Sequence, residues 1–171
     1  LKDHLNFIKA ASLVAKKNPD VRFLMAGRGM TDGNSKIMEW IDCYSNPEQF
    51  FLVGERQDMP AFFSVIDVFC LSSESEGFPN VVCEAMLMKI PCVVTKAGDS
   101  ESIVGSSGLV VPISDYVNLA QGLNEMLSLS PDKLNDIGVH ARNKIKENYS
   151  MDIIFKKNES LYEKCKKNMA T

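Results

Sequence analysis

Two glutamates separated by seven residues are the side chains of this sequence best suited to hold a ligand. Glu76 and Glu84 flank a predicted helix start in the segment 72–86, which reads SSESEGFPNVVCEAM. A carboxylate can accept hydrogen bonds from a pair of sugar hydroxyls. The first turn of a helix leaves backbone N–H groups free, and together with the positive end of the helix dipole they attract phosphate. The residue types and their spacing therefore predict a site that offers carboxylates to hydroxyls and amides to phosphate.

A strand, a turn and a helix are predicted to position these groups. The apolar run 65–71 has the length and the β-branched content of a buried parallel strand, and ligands bind at the carboxyl ends of such strands. Gly77 is expected to make a tight turn, and a helix should follow over about 79–88, with proline in its first turn. Helical spacing places Glu84 and Asn80 on the same face of this helix, with Asn80 one turn closer to the phosphate site.

The rest of the chain alternates helical and strand patterns, as βα units on a parallel sheet do. Helices are predicted at about 5–14, 35–44, 59–63 and 115–127, and strands at about 21–26, 50–53 and around 93. The pattern beyond 131 is helical only. The sequence therefore predicts one α/β domain over 1–171, with a helical C-terminal extension at about 131–171.

Composition is ordinary for a globular protein and excludes several classes. The 171 residues are 45% hydrophobic and 24% charged, enough for one domain with a sizeable core, and the net charge of -3 argues against a nucleic-acid partner. No apolar stretch approaches the roughly 18 residues of a membrane span, and the N-terminus lacks the features of a signal peptide. A cytoplasmic location is the expectation.

Metal-binding and redox patterns are absent from the sequence. Two histidines, His4 and His140, exclude a histidine-rich metal centre, and the five cysteines contain no Cys-x-x-Cys pair. We expect buried, reduced thiols and no metal site. The C-terminal lysines form either a solvated helix face or a membrane-surface helix, with acidic residues interrupting the run. These residues are Lys156, Lys157, Lys164, Lys166 and Lys167, with Glu159 and Glu163 among them.

At 73–84 the sequence resembles the retaining glycosyltransferases of the GT-B fold, often grouped as group 1 transferases. The resemblance rests on the pair Glu76 and Glu84 within the family's context Ser-x-x-Glu-Gly-Phe-Pro-Asn. Further segments match in the family's order, so that the resemblance covers about residues 2 to 130. They are Lys2-Asp3-His4, the strand and Gly-x-Gly loop 23–29, the strand 51–54 with its following loop, the strand and glycine turn 91–100, and the short strand 108–112.

The resemblance implies the C-terminal, donor-binding domain of a GT-B enzyme, with a Rossmann-like parallel sheet and helices on both faces. Because the chain begins at Leu1-Lys2, the first strand of that domain and the N-terminal acceptor domain would be missing. The implied donor is a UDP- or GDP-sugar, no metal or other cofactor is required, and the product belongs to polysaccharide or glycoconjugate synthesis. The isolated fragment would be inactive, and the full enzyme would make peripheral membrane contact.

The resemblance also implies a role for each matching residue. Glu76 would hold donor-sugar hydroxyls near the reacting carbon, and Lys2 would stabilise the leaving diphosphate, so these two are the catalytic candidates. Glu84 would bind the ribose. The remaining donor-binding candidates are the loop and helix-start residues Gly77, Phe78, Pro79, Asn80 and Val81, together with Arg56 in the nucleobase pocket.

Two alternatives remain beside the transferase reading. One is another nucleotide-sugar or phosphorylase activity on the same fold, and the other is a noncatalytic nucleotide-binding or scaffolding module. An NAD site is disfavoured because the segment Gly27-Arg28-Gly29 lacks the third glycine of a dinucleotide fingerprint. Lys89 stands where relatives carry a glycine, so the turn before the next strand is expected to differ.

Overall fold

The computed structural model describes residues 2–169, without the side chains of Lys157 and of 167–169. Helices and strands alternate along most of this range. In chain order they are α1 (His4–Lys17), β1 (Phe23–Ala26), α2 (Ser35–Tyr44), β2 (Phe50–Gly54), α3 (Met59–Phe63), β3 (Phe69–Leu71), α4 (Asn80–Leu87), β4 (Cys92–Thr95), α5 (Ser100–Val104), β5 (Gly108–Val111), α6 (Tyr116–Leu127), α7 (Pro131–Tyr149) and α8 (Met151–Met169). Residues 1, 170 and 171 of the predicted domain lie outside the described residues.

The five strands form two parallel sheets. β1 pairs with β2, and β4 lies between β3 and β5. No described strand pairs with the second edge of β1 or of β3. Parallel strands end on a common edge, so the loops after β3, β4 and β5 lie together. The predicted α/β fold is confirmed.

Helices cover both faces of the sheet, because successive side chains of a strand point to opposite faces. On β4, Val93 packs in a cluster with α1 and α6, whereas Val94 packs in a second cluster with α4, α5 and α7. Both valines are fully buried, and burying such a side chain contributes about 1.5–3 kcal/mol. The strand at the centre of the three-stranded sheet therefore holds the two helical layers together.

The predicted strand 65–71 is wrong in its first half. The backbone N–H of Val65 donates to the carbonyl of Phe62, so this part of the run continues the turn after α3. Pairing begins only at Phe69, whose N–H donates to the carbonyl of Pro91. The short helix α5 was not predicted at all. The other predicted elements are confirmed. Their predicted ends differ from the observed ends by three residues at the end of α1 and by two or fewer elsewhere.

Lys89 makes the turn at the end of α4. Lys89 adopts the left-handed conformation, with φ of 62°. Its N–H donates to the carbonyl of Met86, and the N–H of Ile90 donates to that of Ala85, which is the Schellman pattern of helix ends. A lysine thus makes this turn in a conformation that glycine adopts more easily.

The two C-terminal helices differ in how much they bury. α7 contributes Ala141 and Ile145 to the core, whereas α8 exposes much of its apolar surface, including Phe155 and Tyr162. The part of the chain that the structure describes contains no helix long and apolar enough to cross a membrane.

The expectation of buried thiols holds for only part of the set. All five cysteines are free, but Cys43 and Cys165 are exposed, since they lie on the outer faces of α2 and α8. Burial raises the pKa of Cys70 to about 12, and burial together with Glu84 raises that of Cys83 to about 11. Burial also raises the pKa of Cys92. The three inner thiols are therefore held protonated and unreactive.

Candidate functional site

The candidate site lies where β3 gives way to α4. The loop 72–79 leaves the strand after Leu71 and enters the helix at Asn80, with Pro79 as the N-cap residue. Pro79 makes no side-chain hydrogen bond to the first turn, which leaves amides at the start of α4 available to a ligand. The predicted helix 79–88 is confirmed, since its two predicted end residues are the observed caps.

Hydrogen bonds from the strand ends anchor this loop. The hydroxyl of Ser72 donates to the carbonyls of Lys2 at 3.0 Å and Asp3 at 3.2 Å. The buried hydroxyl of Thr95 donates to the carbonyl of Ser73 at 2.6 Å. The loop is therefore fixed both to the start of α1 and to the end of β4.

The two predicted catalytic residues contact each other. The ammonium of Lys2 lies 2.6 Å from Oε1 of Glu76, and the hydroxyl of Ser73 donates to the same oxygen, also at 2.6 Å. The Glu76 side chain is 13% exposed, against 56% for Lys2. The structure thus brings together two residues 74 positions apart, with the carboxylate largely buried and the ammonium largely exposed.

This environment keeps Glu76 ionised. Burial raises its pKa, but the hydrogen bonds from Lys2 and Ser73 outweigh that effect, and the net pKa lies below the ordinary glutamate value. A lowered pKa means that the stabilising contribution of the carboxylate is present above the ordinary value and is lost only as the pH falls through the lowered one. Near neutral pH, Glu76 is an acceptor of hydrogen bonds and not a proton donor.

Glu84 has a different environment. It is exposed on α4, one turn after the exposed Asn80, and its carboxylate makes no hydrogen bond or ion pair with another described residue. Of the other loop candidates, Phe78 is 42% exposed, whereas Pro79 is buried and Val81 partly buried. Glu84 is therefore open to solvent or to a ligand, in contrast to the anchored Glu76.

The chain bends at Gly77, where a tight turn was predicted, but the close approach that requires a glycine lies at Gly98. Gly77 does not adopt the left-handed conformation, and a Cβ atom there would meet nothing within 4 Å. At Gly98, φ is 53° and a Cβ would lie 2.2 Å from the carbonyl oxygen of Glu76. The N–H of Asp99 donates to the carbonyl of Gly77 at 3.1 Å. The turn after β4 therefore supports the site loop, a role that the sequence indicated only as a glycine after a strand.

At this edge Ser114 was missed, and Asp3 was indicated only as part of the segment Lys2-Asp3-His4. Asp3 and Ser114 both adopt positive φ, 46° and 53°, which is uncommon for residues other than glycine. The Ser114 hydroxyl lies 3.1 Å from Oε1 of Glu74 and 3.5 Å from Oδ2 of Asp3. Backbone strain thus concentrates beside Lys2 and Glu76, as it often does at functional sites.

Arg56 lies in the loop between β2 and α3. It follows β2, and its guanidinium Nε donates to Oδ1 of Asp58 at 2.8 Å. No described contact joins Arg56 to Glu76 or Glu84. The structure therefore keeps it in its own loop, apart from the Lys2–Glu76 pair.

Comparison with known proteins identifies relatives over most of the chain. The family model described as Glycosyl transferases group 1 matches residues 1–129. The capsular polysaccharide biosynthesis glycosyltransferase CapM of Staphylococcus aureus is 25% identical over 158 residues, which are 91% of this chain and 41% of CapM. The chain thus spans about two-fifths of that relative.

Solved structures share the fold. S. aureus TarM, in complex with fondaparinux, alpha-GlcNAc-glycerol and UDP, superposes with a TM-score of 0.82 at 25% identity, over 94% of this chain and 33% of TarM. The C-terminal domain of a group 1 family protein, LpcC of Francisella tularensis, gives a TM-score of 0.75 at 22% identity, over 88% of this chain and 80% of that domain. The match to an isolated C-terminal domain agrees with the fold described above.

Proposed function

The chain belongs to the group 1 glycosyl transferases, and from this premise we propose that it is the donor-binding half of a retaining glycosyltransferase. The donor would be a nucleoside-diphosphate sugar, and the product a polysaccharide or glycoconjugate. The observation that carries the proposal is the Lys2–Glu76 pair beside the uncapped start of α4. The UDP in the TarM complex and the capsular role of CapM support it.

The difficult event in such a transfer is departure of the nucleoside diphosphate. Its developing negative charge is stabilised by the ammonium of Lys2 and by the amides at the start of α4, where the helix dipole adds to the effect. Oε1 of Glu76 already accepts two hydrogen bonds, so Oε2 is the oxygen proposed to accept a hydroxyl of the donor sugar. Glu84, further along α4, accepts the ribose hydroxyls, and Arg56 lines the nucleobase pocket.

The proposal assigns the acceptor and its linkage to a part of the protein outside this chain. We therefore expect the chain alone to bind UDP or GDP weakly and to transfer no sugar. The transfer proposed for the full protein requires no divalent cation, so a chelator should leave its rate unchanged. The anomeric configuration of the product, read by nuclear magnetic resonance, distinguishes retention from inversion.

Two matched substitutions test the division of labour between the glutamates. Glu76→Gln in the full protein should mainly lower the rate, because the amide keeps the shape but loses the charge and one acceptor. Glu84→Gln should weaken free UDP or GDP as well as the intact donor, since both contain ribose. Glu125→Gln, at an exposed glutamate of α6, is the control and should change neither.

Calorimetry with UDP and GDP and steady-state kinetics separate the outcomes. Loss of nucleotide binding with an unchanged maximal rate in Glu76→Gln would contradict the proposed direction of the donor along α4. Nucleotide binding without turnover in the full protein would instead favour the noncatalytic binding module.

A further inference from the structure

α7 lies antiparallel along α4 and contacts it at both ends. At one end, Gly138 sits so close to the end of α4 that a Cβ there would lie 2.0 Å from the carbonyl oxygen of Lys89. At the other end, the ring of Tyr149 meets the ring of Phe78, just before α4 begins, with centroids 5.6 Å apart and planes inclined by 53°. α7 therefore spans the full length of the helix that starts at the site.

The two rings differ in how firmly they are held. Tyr149 lies on the same face of α7 as the buried Ala141 and Ile145, because these positions are separated by four and eight residues. It packs against the core cluster that these residues share with Val82 of α4. Phe78, by contrast, is 42% exposed and belongs to a loop. The tyrosine is the fixed partner and the phenylalanine is the one that it holds.

We propose that Tyr149 is a positioning residue for the donor loop, acting through the ring of Phe78. The inference rests on the proposed function, in which the amides around Phe78 and Asn80 meet the sugar or diphosphate. The start of α4 has no side-chain cap, and Gly98 meets the loop at Glu76 and Gly77. The ring contact adds support at Phe78, which lies between that point and the buried Pro79.

The first test needs no ligand. Hydrogen exchange is measured in the full protein that contains this chain, for the segment 82–85, which begins with the Val82 amide that donates to the carbonyl of Pro79 at 3.0 Å. Tyr149→Leu keeps an apolar side chain and removes the ring, so it should raise the exchange rate in this segment. Tyr149→Phe keeps the ring and should exchange at the parent rate. Tyr162→Leu, at a 70% exposed tyrosine of α8, is the matched control and should leave the segment unchanged.

The second test measures UDP and GDP affinity in a double-mutant cycle. An aromatic pair of this kind corresponds to a change of about twofold to tenfold in an equilibrium constant, so Tyr149→Leu should weaken the nucleotide by that factor. In a Phe78→Ala background the same substitution should have no further effect, because the ring through which it acts is gone. Tyr149→Phe should bind as the parent does.

The outcomes separate the two proposals. If the parent protein binds neither UDP nor GDP, the proposed function fails, and the exchange experiment alone decides whether Tyr149 holds the loop. If the parent binds and Tyr149→Leu binds equally well with unchanged exchange, the inference fails and the proposed function stands. A lower melting temperature with unchanged exchange and affinity would likewise overturn the inference, since a purely structural tyrosine gives that result.

Discussion

The start of α4 and the start of α7 differ in what binds the first-turn N–H groups, which have no partner within a helix. α7 begins with Ser130, whose hydroxyl accepts a hydrogen bond from the N–H of Lys133, and α1, α2 and α6 likewise begin with a side-chain cap. α4 begins with Pro79, which has no such group, and its support comes from other parts of the fold. A capped helix satisfies its own amides, whereas α4 keeps amides for a ligand and depends on Gly98 and Tyr149 to hold them in place.

The largest effect is expected from Gly98→Ala, which removes this external support. The new Cβ would meet the carbonyl oxygens of Glu76 and Gly77, and alanine disfavours the left-handed backbone. Strain of about 1–3 kcal/mol should displace the loop and weaken UDP or GDP by roughly tenfold or more. Calorimetry measures the affinity. Gly33→Ala is the control, since its Cβ would make only an ordinary contact with Thr31 at 3.7 Å; equal affinities in the two variants would contradict the proposed support.

Pro79→Asp breaks the comparison directly, because it gives α4 the cap that it lacks. The new carboxylate would accept from a first-turn amide and repel a diphosphate, so we expect UDP or GDP to bind about fivefold to thirtyfold more weakly, the range for losing one or two kcal/mol. The melting temperature should fall, since Pro79 is buried and the cap compensates only in part for burying a carboxylate. Pro79→Ala, which adds no carboxylate, is the control. Unchanged nucleotide affinity in the aspartate variant would show that these amides do not meet the ligand.

Ser130→Ala tests the capped side of the comparison. Loss of the hydroxyl should lower the free energy of unfolding by about 1 kcal/mol, the usual value for an N-cap. Affinity for UDP or GDP should not change, because α7 begins away from the ring contact at Tyr149. Ser130→Asp retains a cap and should retain the parent stability in chemical denaturation. A loss of nucleotide affinity without a loss of stability would contradict this prediction, because it would show that the start of α7 contributes to binding and not to stability.

The smallest effect concerns the other end of α4. Lys89→Gly relieves the strain of the left-handed backbone at Lys89 but adds backbone freedom to the unfolded chain. The free energy of unfolding should therefore rise by between zero and about 1 kcal/mol. Lys89→Ala removes the side chain and keeps the strain, so it should add nothing. Denaturant unfolding of the three proteins compares them. Destabilisation by glycine would show that the lysine side chain makes a contribution that outweighs its strain.

Much of the fold was predictable because hydrophobic periodicity and turn residues agree along the chain. The helix at Ser35–Tyr44 and the short helix at Met59–Phe63 were predicted with their observed ends. The run 65–71 was not predicted correctly, since its β-branched residues fit a strand. In the structure, the N–H of Val65 instead donates to the carbonyl of Phe62. Local propensity could not show that competing bond.

The site was predictable at the level of residues and not of contacts. The resemblance indicated Lys2 and Glu76 separately, and the structure shows that they form an ion pair. It could not indicate Gly98, whose importance comes from the distance to two carbonyls, nor Tyr149, which lies 71 positions from its partner ring. Such roles arise from tertiary approach, which a single sequence does not encode in any short pattern.

The Lys2–Glu76 pair also has a consequence for the order in which the chain folds. The hydrogen bonds from Ser72 to the start of α1 and the ion pair beside them close segments of 69 to 74 residues. Closing so long a segment costs chain entropy before any contact compensates for it, so local helices and neighbouring strand pairs should form first. We expect these bonds to be absent from the folding transition state and to slow unfolding, not to speed folding. The site would then be the last part of the domain to assemble and the first to open.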